Sequence, residues 1–175
     1  LLQLGAAARD WWGGTVIGVT GSAGKTSTKD AVAALVASAF PTGRTEGNLN
    51  NHLGVPLSIL GLAPEAKVAV LEMGMNHAGE IRTLARVAKP SIGVITNAGW
   101  AHAENFPDGV EGVARAKREL IEELPADGVA VLNADDARVR EFAKVHAGRS
   151  ILYGFDEDAE VRAENVELSE AGAKF

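Results

Sequence analysis

The segment Gly21-Ser22-Ala23-Gly24-Lys25-Thr26-Ser27 follows an apolar run, Val16 to Val19, and precedes an amphipathic stretch. Strand, glycine turn and helix start, in that order, make an anion site. Backbone N–H groups of the turn and of the helix N-terminus converge on one point and favour negative charge there. Lys25 adds a mobile cation, and the Thr26 hydroxyl can reach a metal bound to phosphates. Ser27 and Thr28 are placed to help cap the helix. A full Walker A spacing has a glycine where this chain has Val19, so the motif is a shortened form. The competing reading is a strand-to-helix turn that only needs glycine. The strand before and the helix after favour nucleotide phosphate, with Gly21, Ser22, Ala23, Gly24, Lys25, Thr26 and Ser27 as its contacts.

Other polar residues stand at the ends of apolar runs. Glu72 closes the run Val68 to Leu71, the position of a Walker B carboxylate. With Thr26 and phosphate oxygens it offers the hard oxygen ligands that magnesium prefers. The alternative for Glu72 is a cap on a neighbouring helix. Asn97 and His102 follow the third apolar run, and Asn133 and Asp135 follow the fourth. The loop Thr45 to Pro56 is rich in glycine and amides, among them Asn48, Asn50 and Asn51. Turn chemistry explains such a composition, and so does a polar substrate beside the phosphate loop. Lys117 lies on the apolar stripe of a helix, between Val113 and Ile121. Either its stem snorkels to solvent, or burial strips its proton and leaves a nucleophilic amine. A neutral amine can take up CO₂ as a carbamate, which is anionic and can bind a metal.

These residues need a scaffold, and the hydrophobic pattern supplies one. Leu1 to Trp12 reads as a short helix with Leu1, Leu4, Ala8 and Trp11 near one face, and the paired tryptophans read as packing anchors at a domain edge. Strands follow at Thr15 to Val19, Lys67 to Glu72, Ser91 to Asn97, Val129 to Leu132 and Ser150 to Tyr153. Between them lie helices at Thr28 to Phe40, with Val32, Leu35, Val36 and Ala39 inward, and after Glu80, with Ile81, Leu84, Ala85 and Ala88 inward. Val110 to Leu124 and Arg138 to His146 complete the set, and Ala98 to Gly109 is a loop. Alternation of this kind predicts a doubly wound, mostly parallel α/β sheet with helices on both faces. Ligands of such sheets bind beyond the carboxyl ends of the strands, where the polar residues above collect. After Gly154 the pattern loosens into the start of a small antiparallel element, with a turn at Ser169-Glu170-Ala171-Gly172.

Composition narrows the function classes. The chain has 175 residues, 46% hydrophobic and 23% charged, enough for one core. A net charge of −6 argues against a general nucleic-acid binder. With no cysteine, disulfides and thiolate metal sites are excluded. No apolar run approaches the ~20 residues of a membrane span, and the first residues lack the pattern of a signal peptide. A cytoplasmic, monomeric protein is expected. The chain starts without methionine and stops at Phe175 inside a strand-like pattern, so a piece of a longer protein is expected.

Taken together, Thr20-Gly21-Ser22-Ala23-Gly24-Lys25-Thr26-Ser27, Gly47-Asn48-Leu49-Asn50-Asn51-His52-Leu53-Gly54-Val55-Pro56 and Glu72-Met73-Gly74-Met75-Asn76-His77-Ala78-Gly79-Glu80-Ile81 resemble the central ATPase domain of the Mur ligases. The likeness is strongest to the branch that adds D-alanyl-D-alanine to UDP-N-acetylmuramoyl-tripeptide in peptidoglycan precursor synthesis. It implies residues 1–14 as a linker helix from an N-terminal domain and 15–175 as the central domain, without the C-terminal one. It implies ATP and two Mg²⁺ ions. Lys25 would meet the β and γ phosphates, Thr26 and Glu72 the first Mg²⁺, His102 the second, and Lys117, as a carbamate, would support the second ion. Asn97 would lie near metals and phosphates, and Asn48, Asn50 and Asn51 along the muramoyl-peptide path. One departure is Trp100-Ala101-His102-Ala103-Glu104-Asn105-Phe106, where the family more often has leucine after the histidine and glycine before the phenylalanine. The rival expectations are a folylpolyglutamate or cyanophycin-type ligase of the same family, and a P-loop switch ATPase.

Overall fold

The structure, a computed structural model, describes residues 1–169 and 172–174. The helix α1 (Leu2–Trp12) leads into β1 (Thr15–Thr20), α2 (Lys25–Ala37) and β2 (Thr42–Arg44). Then come α3 (Gly54–Leu60), β3 (Val68–Glu72), α4 (Glu80–Ala88) and β4 (Ile92–Ile95). After a 3-10 turn at Ala103–Asn105 follow α5 (Val110–Glu122), β5 (Val129–Asn133), α6 (Ala137–Arg140) and a 3-10 turn at Glu141–Val145. The last elements are β6 (Arg149–Gly154), β7 (Val161–Arg162), β8 (Glu167–Ser169) and β9 (Gly172–Lys174).

Seven strands form one sheet in the order β2-β3-β1-β4-β5-β6-β7, and every pair in it is parallel. β8 and β9 pair antiparallel, as the loosened pattern after Gly154 predicts. Glu170 and Ala171 of the expected turn, and Phe175, lie outside the described residues.

Side-chain alternation splits the core between two faces. Ile17, Val19, Val68, Val70 and Val94 pack with Ala33, Val32 and Val36 of α2. Val16, Ala69, Leu71, Ile95, Ala130 and Leu132 face the other way, into a larger core with Val55, Leu84, Val113, Leu120 and Val139. Among the described residues, α2 is thus the helix of one face, and α1, α3, α4, α5 and α6 crowd the other. Strands buried on both sides explain the continuous apolar runs of β1 and β3. Register then sets the site. Val19 stands opposite Glu72, and Thr20 opposite Ile95, so the turn after β1 lies between the carboxyl ends of β3 and β4.

Several expectations are corrected. On α1, Leu4 and Trp11 are exposed, Trp11 at 82%, and the inward face is Leu2, Gly5, Ala6, Ala8 and Trp12. Gly5 decides this rotation: a Cβ there would lie 2.7 Å from the Cβ of Pro56, so the bare backbone is what fits against α3. Of the two tryptophans, only Trp12 anchors, donating Nε1–H to the carbonyl of Ala66 at 2.9 Å. α2 begins at Lys25 rather than Thr28, with Gly24 as its N-cap in place of Ser27 or Thr28. Its buried line is therefore Lys29 and Ala33, and Leu35 is 74% exposed. β2, just before the Thr45–Pro56 loop, and α3, which starts at that loop's end, are not marked by the pattern, because three-residue and glycine-proline-containing elements carry little periodicity. The Arg138–His146 helix is α6 followed by the 3-10 turn.

Candidate functional site

The phosphate-loop candidate is a close-fitting turn. Gly24 has φ 78°, a conformation that glycine adopts without strain. At Gly21 a Cβ would meet the Thr96 hydroxyl at 1.8 Å, so no side chain fits there. Asn97 holds the turn's shape: its Oδ1 accepts from Ser22 N–H (3.1 Å) and Ala23 N–H (2.9 Å), and its Nδ2 donates to Ala23 O (3.0 Å). Thr96 Oγ1 donates to Ala23 O at 2.6 Å. Ser22 Oγ accepts from Gly99 N–H at 2.8 Å, tying the turn to the segment that leads to His102. Lys25 Nζ folds back on its own loop, 3.0 Å from Gly21 O. α2 starts at Lys25, so its first N–H groups have no carbonyl one turn earlier within the helix and point toward the loop.

Glu72 is 1% exposed and both of its oxygens are engaged. Oε2 accepts from Thr26 Oγ1 at 2.8 Å, and Oε1 accepts from Asn50 Nδ2 at 2.7 Å. Its backbone N–H donates to Thr45 Oγ1 at 3.0 Å. Strand end, helix start and amide-rich loop therefore meet at one carboxylate. Thr26 and Glu72 form a pair of hard oxygen donors at the mouth of the turn, a set that suits Mg²⁺ completed by phosphate and water.

Beside this pair opens a cavity of about 770 Å³, whose lining includes Lys25, Asn50, Asn51, His52, His102 and Lys117. Lys117 is 2% exposed. Burial chiefly, and then the Lys25 charge, bring its ammonium down to about 7. The pattern left two readings for Lys117, and the side chain is buried rather than snorkelled. His102 sits at φ 67°, a left-handed conformation rare for residues with a side chain. No group of three or more His, Cys, Asp or Glu side chains that could hold a metal occurs among the described residues. A metal here would need ligands of other kinds as well.

The amide-rich loop shows the turn chemistry its composition allowed, and two of its amides also face the cavity. Asn51 Oδ1 accepts from Leu53 N–H (3.0 Å) and Gly54 N–H (2.9 Å), an Asx turn that starts α3. Asn50 reaches Glu72, and Asn50 and Asn51 both line the cavity. Asn48 is exposed in the preceding turn and is not part of the lining. Asn133 Nδ2 donates to Thr96 O at 2.8 Å, and the Asp135 carboxylate accepts from Phe155 and Asp156 N–H, so both brace neighbouring loops.

Two buried charges went unread. Glu119 accepts from Gly79 N–H (2.8 Å) and Arg82 N–H (3.0 Å), capping α4 from the facing helix. Glu80 meanwhile accepts from Asn76 and His77 N–H. Burial pushes the Glu80 carboxyl up, but these N–H groups and the His77 ring outweigh it and hold it below its usual range. Lys29 is the other, one turn beyond Lys25 on α2 and 2% exposed. Its position on the Lys25–Lys29–Ala33 line was the available signal.

The Mur ligase middle domain matches residues 19–175. The UDP-N-acetylmuramoyl-tripeptide--D-alanyl-D-alanine ligase of Bacillus subtilis is 39% identical over 175 residues, which is all of this chain and 37% of that protein. A crystal structure of MurF from Acinetobacter baumannii superposes with TM-score 0.89 at 34% identity, over 99% of this chain and 40% of the other. MurF ligase from Thermotoga maritima in complex with ADP gives TM-score 0.87 at 32% identity, over 98% of this chain and 40% of the other. The chain thus spans well under half the length of the proteins it resembles.

Proposed function

The chain belongs to the Mur ligase family, of which it carries the middle domain, and from that premise we propose that it is the ATP-handling core of a ligase joining D-alanyl-D-alanine to UDP-N-acetylmuramoyl-tripeptide. The observation that carries this reading is the single cavity in which Lys25, Asn50, Asn51, His102 and Lys117 meet beside the Thr26–Glu72 pair.

In this reading the nucleotide phosphates lie on the turn from Gly21 to Ser27, against the N–H groups at the start of α2. Lys25 leaves its loop carbonyls and turns to the β and γ phosphates. Thr26 and Glu72 would hold the first Mg²⁺, and His102 with carbamylated Lys117 would support the second. Magnesium, when bound, neutralises charge on the transferring phosphoryl group. The carbamate forms when the neutral Lys117 amine attacks CO₂, making an N–C bond and releasing one proton. The tripeptide carboxylate attacks the γ-phosphorus, ADP leaves, and an acyl phosphate results. The dipeptide amine then attacks the acyl carbon, loses a proton and expels phosphate. Asn50 and Asn51 line the carboxylate's path. The protein's own work is placement and charge neutralisation. Such an enzyme acts on soluble nucleotide-linked precursors, and no helix among the described residues is long and apolar enough to cross a membrane.

The test is turnover by the complete protein. Muramoyl-tripeptide, D-alanyl-D-alanine and Mg-ATP should give amide product with stoichiometric ADP, and folate should not replace the muramoyl substrate. Lys25→Ala should lower kcat by at least about a hundredfold, the scale for losing one charge-stabilising group. Normal turnover by that variant would refute the phosphate-loop assignment. ATP hydrolysis without amide product would favour a switch ATPase.

A further inference from the structure

Lys29 is a buried ammonium that the reaction above does not use. Burying a charge is costly unless it is paired and hydrogen-bonded, and an apolar side chain of similar length would fill the same space. Its N–H donors reach two carbonyls, Thr45 O at 2.8 Å and Gly47 O at 3.4 Å, and its charge pairs with the Asp30 carboxylate at 3.1 Å. The carboxylate is shared with Arg44 at 3.1 Å and is half-exposed, whereas Thr45 is fully buried. The two carbonyls belong to the first residues of the amide-rich loop. Thr45 also donates its N–H to Val70 O (3.0 Å), and its hydroxyl accepts from Glu72 N–H (3.0 Å). A few residues later Asn50 donates to the Glu72 carboxylate at 2.7 Å.

The first two turns of α2 therefore hold both ends of one arrangement. Lys25 and Thr26 serve the phosphate loop and Glu72, and Lys29, on the same side of the helix one turn on, holds the root of the loop that lines the cavity. We infer that Lys29 is a positioning residue that sets the amide-rich loop, with Asn50 and Asn51, in register with the phosphate loop, and so governs binding of the carboxylate substrate rather than of the nucleotide. Gly47, at φ 52°, and its neighbours supply little packing of their own, which leaves the loop dependent on such an anchor.

The inference rests on the ligase reading for its substrate, so the test has two arms. In the first, Lys29→Met and Lys29→Gln are made in the complete ligase. Lys29→Met should raise KM for the muramoyl-tripeptide about tenfold and leave KM for Mg-ATP within about twofold. Lys29→Gln keeps two donors for the carbonyls and should recover part of that loss. Asp30→Asn, which removes the surface partner only, should behave as wild type. In the second arm, hydrogen exchange is followed on the complete protein without ligand. Lys29→Gln should speed exchange of the amides from Thr45 to Gly54 at least about tenfold, with α5 unchanged. Equal rises in both KM values, a loss in Asp30→Asn matching that of Lys29→Met, or unchanged loop exchange would overturn the inference. If the unsubstituted complete protein makes no amide product, the ligase reading fails, and the exchange arm alone decides whether Lys29 anchors the loop. Should Lys29→Met not fold, Lys29→Gln carries both arms.

Discussion

Lys117 shows how one residue's setting changes its chemistry. An exposed lysine stays charged to pH 10 and beyond, but here burial and the neighbouring Lys25 lower it to about 7. The unfolded chain then binds a proton that the folded chain lacks between about 7 and the ordinary 10.5. Stability attributable to this residue rises with pH across that window, and below it the full penalty of a buried ammonium remains. Lys117→Met should therefore stabilise the chain near pH 7 by up to a few kcal/mol. The advantage should shrink steadily toward pH 10.5. Thermal melts of both proteins at several pH values check this, and a pH-independent difference would contradict it. Glu72 makes the complementary case. It is a buried carboxylate satisfied by a hydroxyl and an amide rather than by a cation, which leaves its charge available to one.

Among the elements, α4 depends on a neighbour for its start. Its N-cap, Gly79, offers no side chain, and Glu119 of α5 accepts two of the N–H groups there. A carboxylate at a helix N-terminus also interacts well with the helix dipole. Glu119→Ala should cost about 1–2 kcal/mol. The loss should also loosen the Asn76–Gly79 segment that borders the cavity. Chemical denaturation measures the first effect and hydrogen exchange of residues 76–83 the second. α2 carries the opposite lesson. Its periodic apolar stripe pointed to Leu35, yet the inward line begins with a lysine, because the helix starts at the phosphate loop and must present Lys25, Thr26 and Lys29 to the strand ends.

For the molecule as a whole, the parallel sheet ties distant segments into one unit. Leu120 of α5 is fully buried, and its side chain lies 3.1 Å from where a Cβ on Gly18 of β1 would stand and 3.3 Å from where one on Gly93 of β4 would. Leu120→Ala should cost about 2–5 kcal/mol. Because Leu120 packs against both β1, which leads into the Gly21–Ser27 turn, and its neighbour β4, the loss should appear as one cooperative transition, with far- and near-ultraviolet circular dichroism coincident. Two separate transitions would show that the two faces of the sheet unfold independently.

Much of this arrangement was legible before any coordinates. Continuous apolar runs marked β1 and β3, and the period of α4 and α5 marked their inward faces, because those elements are long or fully buried. Glu72, which ends β3, and Asn97, just beyond β4, could be placed on one edge since parallel strands share a direction. Short elements such as β2 and α3 were not legible, and neither was the rotation of α1. That rotation is a matter of what fits: Gly5 meets Pro56, a contact between residues far apart in sequence. Nor could local pattern show that Asn97 braces the phosphate loop or that Asn50 bonds to Glu72. The sequence by itself determined the glycine turn, Gly21 to Ser27, as the candidate phosphate loop, because its pattern is contained within a few adjacent residues. Only the tertiary structure decided that Lys29 holds the root of the amide-rich loop, that Asn50 bonds to Glu72 and that the Lys117 side chain is buried. Burial and hydrogen-bond partners arise from long-range packing, which local periodicity does not record.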